Sequence, residues 1–354
     1  MPDMRDALGH HLWRSHWHLV AHRNELPAHG DFLRLKVLDQ EVVVFNDAGN
    51  LVAFDNRCPH RGARMFLDDH GRQAATCGYH GWTYNHGTFL IPDRAQFKSC
   101  QIDKVDFRRW QTDWAGDFLF VSDQPSQSLA DQLGGVLPLL EDMSFGVTGR
   151  HDWNAYSFEC DWKIALENAL EPYHVPMVHP GSLGLLDLQP GHNAFHGRNS
   201  VWYAPVGNAR MARSLARISE LFALDFQYAG YMSIYIYPFT MLSSTYGLSY
   251  SLQHFLPSLQ PESTHFYSRM LTMALKPDRD PEVVASFLAS TAATNRRVFQ
   301  EDHEVCKRVP LDTWSPEPPV FAADAEEKLI HFRASCRDML RDLESDTAHP
   351  PTVV

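Results

Sequence analysis

Several features are scarce in this chain, and each scarcity removes a class of function. No apolar run is long enough to cross a bilayer, so neither a membrane-spanning helix nor a membrane partner is expected. The N-terminal stretch MPDMRDALGHHLWRSHWH lacks the apolar core of a secretory signal, and a cytoplasmic protein is the expectation. Lysine and arginine form no run or stripe and the formal charge is -12, so nucleic acid is not an expected partner. Cysteine is sparse, at six in 354 residues. Cys100, Cys160, Cys306 and Cys336 are scattered singly, which predicts buried apolar thiols in a reducing compartment. A dinucleotide loop is missing too. GSLGLL at 181–186 lacks G-x-G-x-x-G spacing, so a dinucleotide-binding domain is not expected. No repeat of fixed period is visible.

What is present is ordinary in bulk: 44% apolar and 21% charged residues, as in soluble globular proteins. The length suits two domains with a large core that needs no disulfides. The first third reads as short strands at 31–38, 41–46 and 51–56, with turns at 39–40 and 47–50. GDFLFVS at 116–122 reads as a further strand returning to them, to complete a small antiparallel β domain. Residues 123 to about 150, rich in Gln, Ser, Pro and Gly, read as a linker. Beyond it, NAYSFEC alternates as a strand does, and DWKIALENAL reads as a helix capped by Asp161. Long apolar and aromatic strands follow at 230–239, 241–257 and 264–275. Two helices close the chain. The first opens at Asp280-Pro281, a cap residue followed by proline at the first helical position. The second places Leu329, Phe332, Cys336, Leu340 and Leu343 on one face.

Two constellations carry chemistry. CPHRG (58–62) and CGYHGW (77–82) present Cys58-x-His60 and Cys77-x-x-His80. Two thiolates and two imidazoles suit tetrahedral zinc. They equally suit a Rieske centre, in which two histidines replace two cysteines on one iron. Each loop supplies one cysteine and one histidine, so each can send one ligand to each of two irons. A zinc finger more often keeps both cysteines in one knuckle, so the detail favours iron. Pro59, Gly62, Gly78 and Gly81 allow tight loops that turn backbone N–H groups toward sulfur. The second constellation is ENALEPYHVPMVHP (167–180), with Glu171, His174 and His179. Histidines five apart do not share a face of an ideal helix. Pro172 and Pro176 predict a departure from that geometry which brings both imidazoles to one metal. Two histidines plus one carboxylate leave open positions on Fe(II), an arrangement suited to oxygen activation.

CPHRG…CGYHGW is similar to the cluster motif of Rieske-type non-heme iron oxygenases. ENALEPYHVPMVHP resembles the mononuclear-iron segment of the same family, Asp/Glu-x-x-His-x-x-x-x-His. The resemblance implies a [2Fe–2S] cluster with Cys58 and Cys77 on one iron and His60 and His80 on the other. It implies a mononuclear Fe(II) held by His174 and His179. FQED (299–302) resembles the family's late acidic segment and matches it at Asp302, with Glu301 and Glu304 as competitors for the third ligand. Glu171 is then not a ligand. It corresponds to the carboxylate that joins a cluster histidine to an iron-bound one, here His80 to His174, usually between neighbouring subunits of a homotrimer. Glutamate stands where many members of the family have aspartate, and CKRVP (306–310) carries a proline where relatives often continue a polar helix.

The implied fold is α+β. A small antiparallel β Rieske domain would occupy 41–122, with 1–40 as its N-terminal extension. A helix-and-antiparallel-sheet catalytic domain of the helix-grip (START-like) kind would occupy 123–354. The implied activity is that of a terminal oxygenase (alpha) component, a mono- or dioxygenase. It would use O2 and electrons from an NAD(P)H-dependent reductase, directly or through a ferredoxin. Its substrate would be a small organic molecule, an aromatic acid or ring or a methylated or quaternary amine, which it hydroxylates or demethylates. Arg61, Arg64 and Tyr79 are candidate contacts for the electron donor, against a plain solvated loop. Trp202, Tyr246, His254 and Phe255 are candidate pocket residues, although aromatic residues on such strands are more often core. Two other classes remain open. One is a Rieske electron-transfer protein without oxygenase activity, against which His174, His179 and Asp302 argue. The other is a zinc-bound interaction module.

Overall fold

The computed structural model describes residues 4–224, 228–279 and 281–348. Among them, no helix is long and apolar enough to cross a membrane. The β-branched and aromatic runs near the N-terminus form strands Asp31–Val37, Gln40–Asp47 and Asn50–Asp55, which with His70–Arg72 make a four-stranded antiparallel sheet. The hairpin between the second and third strands turns at Ala48 and Gly49, both at positive φ (54° and 95°), the twist that a two-residue hairpin requires. A smaller sheet of Ala75–Thr76, Thr83–Asn85 and Thr88–Leu90 lies beside it. Phe32, Phe45, Phe54, Phe66, Tyr84 and Phe107 fill the space between. Phe54 and Phe107 stack with ring centres 3.8 Å apart.

Two expectations fail in this part of the chain. The strand Phe118–Ser122 does not return to the first sheet. It pairs with His18–His22 on one side and Gln111–Ala115 on the other, in a separate three-stranded sheet. His18–His22 was hidden in the sequence because two of its five residues are histidines, yet all five are buried. Residues 123–150 are not a linker. Leu129–Leu133 and Leu137–Ser144 are helices. Leu129, Leu133, Val136, Leu140 and Met143 recur at alternating steps of four and three and bury one face in the main core. The surrounding Gln, Ser and Gly residues mask that helical period.

The rest of the chain builds a seven-stranded antiparallel sheet. Its order is Val147–Phe158, Thr264–Met273, Ser249–Pro257, Thr240–Thr245, Tyr231–Ile236, Asn199–Ala204 and His192–His196. The run 241–257 is two strands, broken at Tyr246 and Gly247, whose φ values are 59° and 70°. Three helices lie against the sheet: Trp162–Leu170, Pro281–Cys306 and Glu327–Ala348. Asp161 caps the first, its carboxylate accepting from the Lys163 N–H. The Asp280 cap expected for the second lies outside the described residues. Trp162 meets Phe239 and Phe332, and Phe299 meets Phe266, joining helices to sheet. This is the α+β architecture expected, a small β unit and a helix-and-antiparallel-sheet unit. The two share a core, in which Leu33, Leu35 and Val42 pack with Phe239 and Tyr267. Of the scattered thiols, Cys160, Cys306 and Cys336 are buried as expected, but Cys100 is exposed. It sits on the outward side of the four-residue helix Ser99–Ile102, whose Ile102 is the residue that enters the core.

Candidate functional site

The two cysteine–histidine loops have the same backbone construction. Cys58 N–H donates to Ala63 O and Gly62 N–H to Cys58 O, both at 2.8 Å. Cys77 N–H donates to Trp82 O at 2.8 Å and Gly81 N–H to Cys77 O at 2.9 Å. The glycine four residues after each cysteine holds φ of +74° (Gly62) or +71° (Gly81), which a side chain disfavours. Both cysteines are buried, whereas His80 is exposed and His60 half-buried. The His60 ring lies flat on Trp82 (4.6 Å, 8°) and 4.6 Å from the His80 ring. Burial raises the Cys58 thiol pKa, against backbone N–H groups of His60 and Arg61 that favour the thiolate. Burial also lowers the His60 pKa, with His80 and Arg61 adding to the effect, so its ring is kept neutral. His60 Nδ1 is buried without a hydrogen-bond partner. Two adjacent buried thiols, two converging imidazoles and an orphaned ring nitrogen fit a two-iron cluster with thiolates inward and imidazoles outward.

The second site forms where the Trp162–Leu170 helix stops. Pro172 and Pro176 interrupt it, and the chain resumes as the short helix Val175–Val178 with His174 before it and His179 after it. The break turns both rings to one point, with ring centres 5.2 Å apart. Asp302 meets them from the Pro281–Cys306 helix. Its Oδ1 lies 2.9 Å from His179 Nε2 and 3.6 Å from His174 Nε2. These three side chains are the group among the described residues whose ligand atoms gather closely enough to share a metal ion. Glu304 is drawn away by Lys307 at 2.6 Å.

Glu301, the other competitor, holds the far side of His179. Its Oε2 accepts from His179 Nδ1 at 2.8 Å and from Ser182 Oγ at 2.6 Å, and its Oε1 accepts from Arg297 Nε at 2.8 Å. Glu171 does the same for His174, with Oε1 2.6 Å from Nδ1 and Oε2 3.1 Å from the backbone N. Both imidazoles thus have a carboxylate on Nδ1 and present Nε2 to Asp302, the arrangement in which outer partners fix ring tautomer and orientation. Asn168 Nδ2 donates to Asp302 Oδ1 at 2.8 Å and fixes the acid in turn. Burial would lower the His179 pKa, but Asp302 and Glu301 outweigh it and raise the pKa. A buried ring between two carboxylates calls for a positive charge. A divalent cation held by His174, His179 and Asp302 would supply it in place of the proton, so the residues fit a mononuclear iron.

The reading of the sequence missed Glu301 as the partner of His179, and Asn168 altogether. Their only signal is adjacency to residues already singled out. Glu171 touches His174, but among the described residues it makes no contact with His80. Arg61, Arg64 and Tyr79 are exposed, and Arg61 Nη1 donates to Tyr79 OH at 3.3 Å.

Beside His174, His179 and Asp302 lies a cavity of about 80 Å³, walled by Trp202, Tyr231, Ser233, Ser243, Gln253 and Phe299 among others. Of the four candidate lining residues only Trp202 takes part. Gln253 faces the cavity, so the next residue in the strand, His254, faces away and meets Arg269 Nη2 at 2.7 Å. Phe255 packs in the core and Tyr246 sits at the strand break.

Residues 16–99 match the Rieske [2Fe-2S] domain family, and residues 145–342 match the ring hydroxylating alpha subunit (catalytic domain). The anthranilate 1,2-dioxygenase large subunit of Acinetobacter baylyi is 33% identical over 195 residues, 51% of this chain and 41% of that one. The carnitine monooxygenase oxygenase subunit of Escherichia coli is 27% identical over 246 residues, 65% and 61% of the two chains. The chain therefore spans about two-fifths to three-fifths of these relatives' lengths. Among solved structures, a quaternary ammonium Rieske monooxygenase in complex with L-carnitine has a TM-score of 0.70 at 18% identity, covering 94% of this chain and 91% of that one. Naphthalene 1,2-dioxygenase from Rhodococcus sp. bound to indole likewise gives 0.70 at 17%, covering 97% and 93%. The fold is shared with both. With a Rieske [2Fe–2S] domain followed by the catalytic domain of mononuclear non-heme iron proteins, the chain belongs to the ring-hydroxylating oxygenase alpha-subunit family.

Proposed function

We propose that this chain is a terminal oxygenase that hydroxylates or demethylates a small organic molecule, using O2 and electrons from an NAD(P)H-dependent reductase, directly or through a ferredoxin. The observation that carries this reading is the convergence of His174, His179 and Asp302 at a cavity that adjoins a second one of about 320 Å³, the two sharing Tyr231, Ser243, Gln253 and Phe299. A protein that only carried electrons would have no use for either feature. When bound, the cluster supplies single electrons and the ferrous ion activates dioxygen at its open positions.

The chain's own residues do the rest. Cys58, Cys77, His60 and His80 would hold the cluster, the cysteines being buried and His80 exposed. Glu171 and Glu301 accept the two Nδ1–H protons and leave each Nε2 lone pair for the metal. Asp302 adds the third ligand. Phe299, Val298 and Leu183 keep bulk water from the approach, while Ser233, Ser243 and Gln253 offer hydrogen bonds to a substrate's polar groups. In one chain both Glu171 oxygens serve His174. A carboxylate has lone pairs to spare, so His80 of a neighbouring copy could be reached in a homotrimer.

The substrate classes named for the relatives, an aromatic acid and carnitine, set the starting range. Metal analysis of the purified protein tests the reading. The oxygenase requires three irons and two acid-labile sulfides per chain, and an electron carrier two irons. His174→Ala should lose one iron and substrate-dependent oxygen uptake while keeping the visible cluster spectrum. A wild-type protein with two irons overturns the proposal.

A further inference from the structure

The cavity wall has a regular construction. Trp202, Ser233 and Ser243 are direct neighbours in register across three adjacent strands. The cavity is lined by no lysine or arginine, and its two carboxylates, Glu171 and Asp302, both belong to the iron site. Behind Ser233 stands Lys328, at the start of the Glu327–Ala348 helix. It is 2% exposed, and its Nζ donates to Ser233 Oγ at 3.2 Å. No carboxylate pairs with it, and Ser233 is its one hydrogen-bond partner among the described residues. Two of the three ammonium donors are thus unused.

A lysine is almost never fully buried unless paired. Burial here lowers its pKa to about 7, because the surrounding protein solvates the charge poorly. Neither the metals nor the packing calls for a cation at this point. The missing partner is an anion, and the hydroxyl between Lys328 and the cavity shows from which side it comes.

We propose that Lys328, acting through Ser233, is the residue that selects a small organic carboxylate as the substrate of this cavity. A carboxylate seated against the Ser233 hydroxyl accepts its proton in a hydrogen bond while the serine oxygen accepts from Lys328. The charge pair is then closed across one hydroxyl in a dry site, where Coulomb attraction is strong. A substrate that is only cationic drives the amine toward its neutral form and gains no charge pairing at the same place. This inference rests on the oxygenase reading for the cavity's purpose, but not for its test.

The test is calorimetric binding of matched acid and amide pairs to the metal-loaded protein: benzoate and benzamide, anthranilate and anthranilamide, glycine betaine and its amide. At least one acid should bind more tightly than its amide. In Lys328→Met that acid-to-amide affinity ratio should fall about tenfold, or ~1.4 kcal/mol. Ser233→Ala should lower it in the same direction. Replacing an unpaired buried charge by an apolar side chain of similar length should leave the melting temperature unchanged or higher. An unchanged ratio, or no acid bound at millimolar concentration, overturns the proposal. So does a lowered melting temperature with the ratio intact, which assigns Lys328 a structural role alone. Binding needs no turnover, so the ratio still reports on Lys328 if iron analysis defeats the oxygenase. An unchanged ratio in a protein that carries three irons and consumes oxygen defeats the anchor alone.

Discussion

Glu301→Gln separates the ligand from its support. Glu301 and Asp302 are consecutive, and both lie within 3 Å of the same imidazole, 2.8 Å from Nδ1 and 2.9 Å from Nε2 respectively. If Asp302 is the ligand and Glu301 the outer partner, the substituted side chain can still accept from Nδ1–H through its amide oxygen. It loses the negative charge that makes the imidazole a better donor to metal. Losses of this kind typically cost 10- to 100-fold in metal affinity, or ~1.4–2.7 kcal/mol. The bonds from Ser182 and Arg297 also weaken, which places the expected effect toward the upper end of that range. Anaerobic Fe(II) titration against a competing chelator measures it, with the visible cluster spectrum as an internal control. The weakened site should refill at higher Fe(II), whereas Asp302→Ala should not. Wild-type affinity in Glu301→Gln would refute the outer-partner role. Complete loss in Glu301→Gln together with retention in Asp302→Ala would exchange the two assignments.

Cys77→Ala should bleach the cluster and leave Fe(II) binding at His174, His179 and Asp302 intact. Loss of both metals together would mean that the sites are not independent. Gly62 sits at φ +74° with nothing within 4 Å of an added Cβ, so Gly62→Ala should destabilise by backbone strain alone, ~1–2 kcal/mol. Gly62→Asn should cost less, and equal melting temperatures for all three proteins would sink the argument. His16 and His18 are depressed to about 3 by burial, and burial and Arg269 lower His254 in the same way. These rings stay neutral when folded but protonate near pH 6.5 when unfolded, so the unfolded state binds more protons below that pH. Stability should therefore fall on acidification from pH 6.5, by up to ~1.4 kcal/mol per pH unit for each ring. Urea midpoints at pH 7 and pH 5 check this, with His18→Gln expected to flatten the slope and a flat wild-type profile contrary to it. Glu171→Gln should weaken Fe(II) binding as Glu301→Gln does, since it too supports an iron-binding ring through Nδ1, and once refilled at higher Fe(II) it should slow electron transfer between the two metals. An unaltered single-turnover rate would remove the bridging role.

The parts of the site legible in the sequence are those written locally. The two cluster loops could be read because each packs its cysteine, histidine and glycine within six residues, and because the pattern occurs twice. His174 and His179 could be read because the prolines that break the helix lie between and beside them. Asp302 could not be reached that way. It is 123 residues from His179, and nothing in its own neighbourhood separates it from Glu301 or Glu304, so only resemblance singled it out. The cavity wall was illegible for another reason. Its lining depends on the phase of each strand, and a shift of one residue exchanges Gln253 for His254. The helices of 129–144 were lost because Gly134, Gly135 and Pro138 fall in the middle of the five apolar positions that fix them and read as a turn.

That Asp302 depends on distant structure raises the question of what holds it in place. The Pro281–Cys306 helix is 26 residues long and much of its surface is exposed, so its position along its own axis is not set by a wide apolar face. A helix advances about 1.5 Å and turns about 100° per residue. A slip of one residue would therefore carry Asp302 off Nε2 and bring Glu301 or His303 toward it. Two contacts just before the acids prevent this. Phe299 is buried, with its ring 5.0 Å from Phe266 of the central sheet. Arg296 binds both Asp152 and Asn154 of the sheet's edge strand. Four residues after Asp302, Cys306 is buried in the same core. The acid is thus placed by a lock of sheet contacts on either side of it. The iron site borrows its precision from residues that never touch the metal.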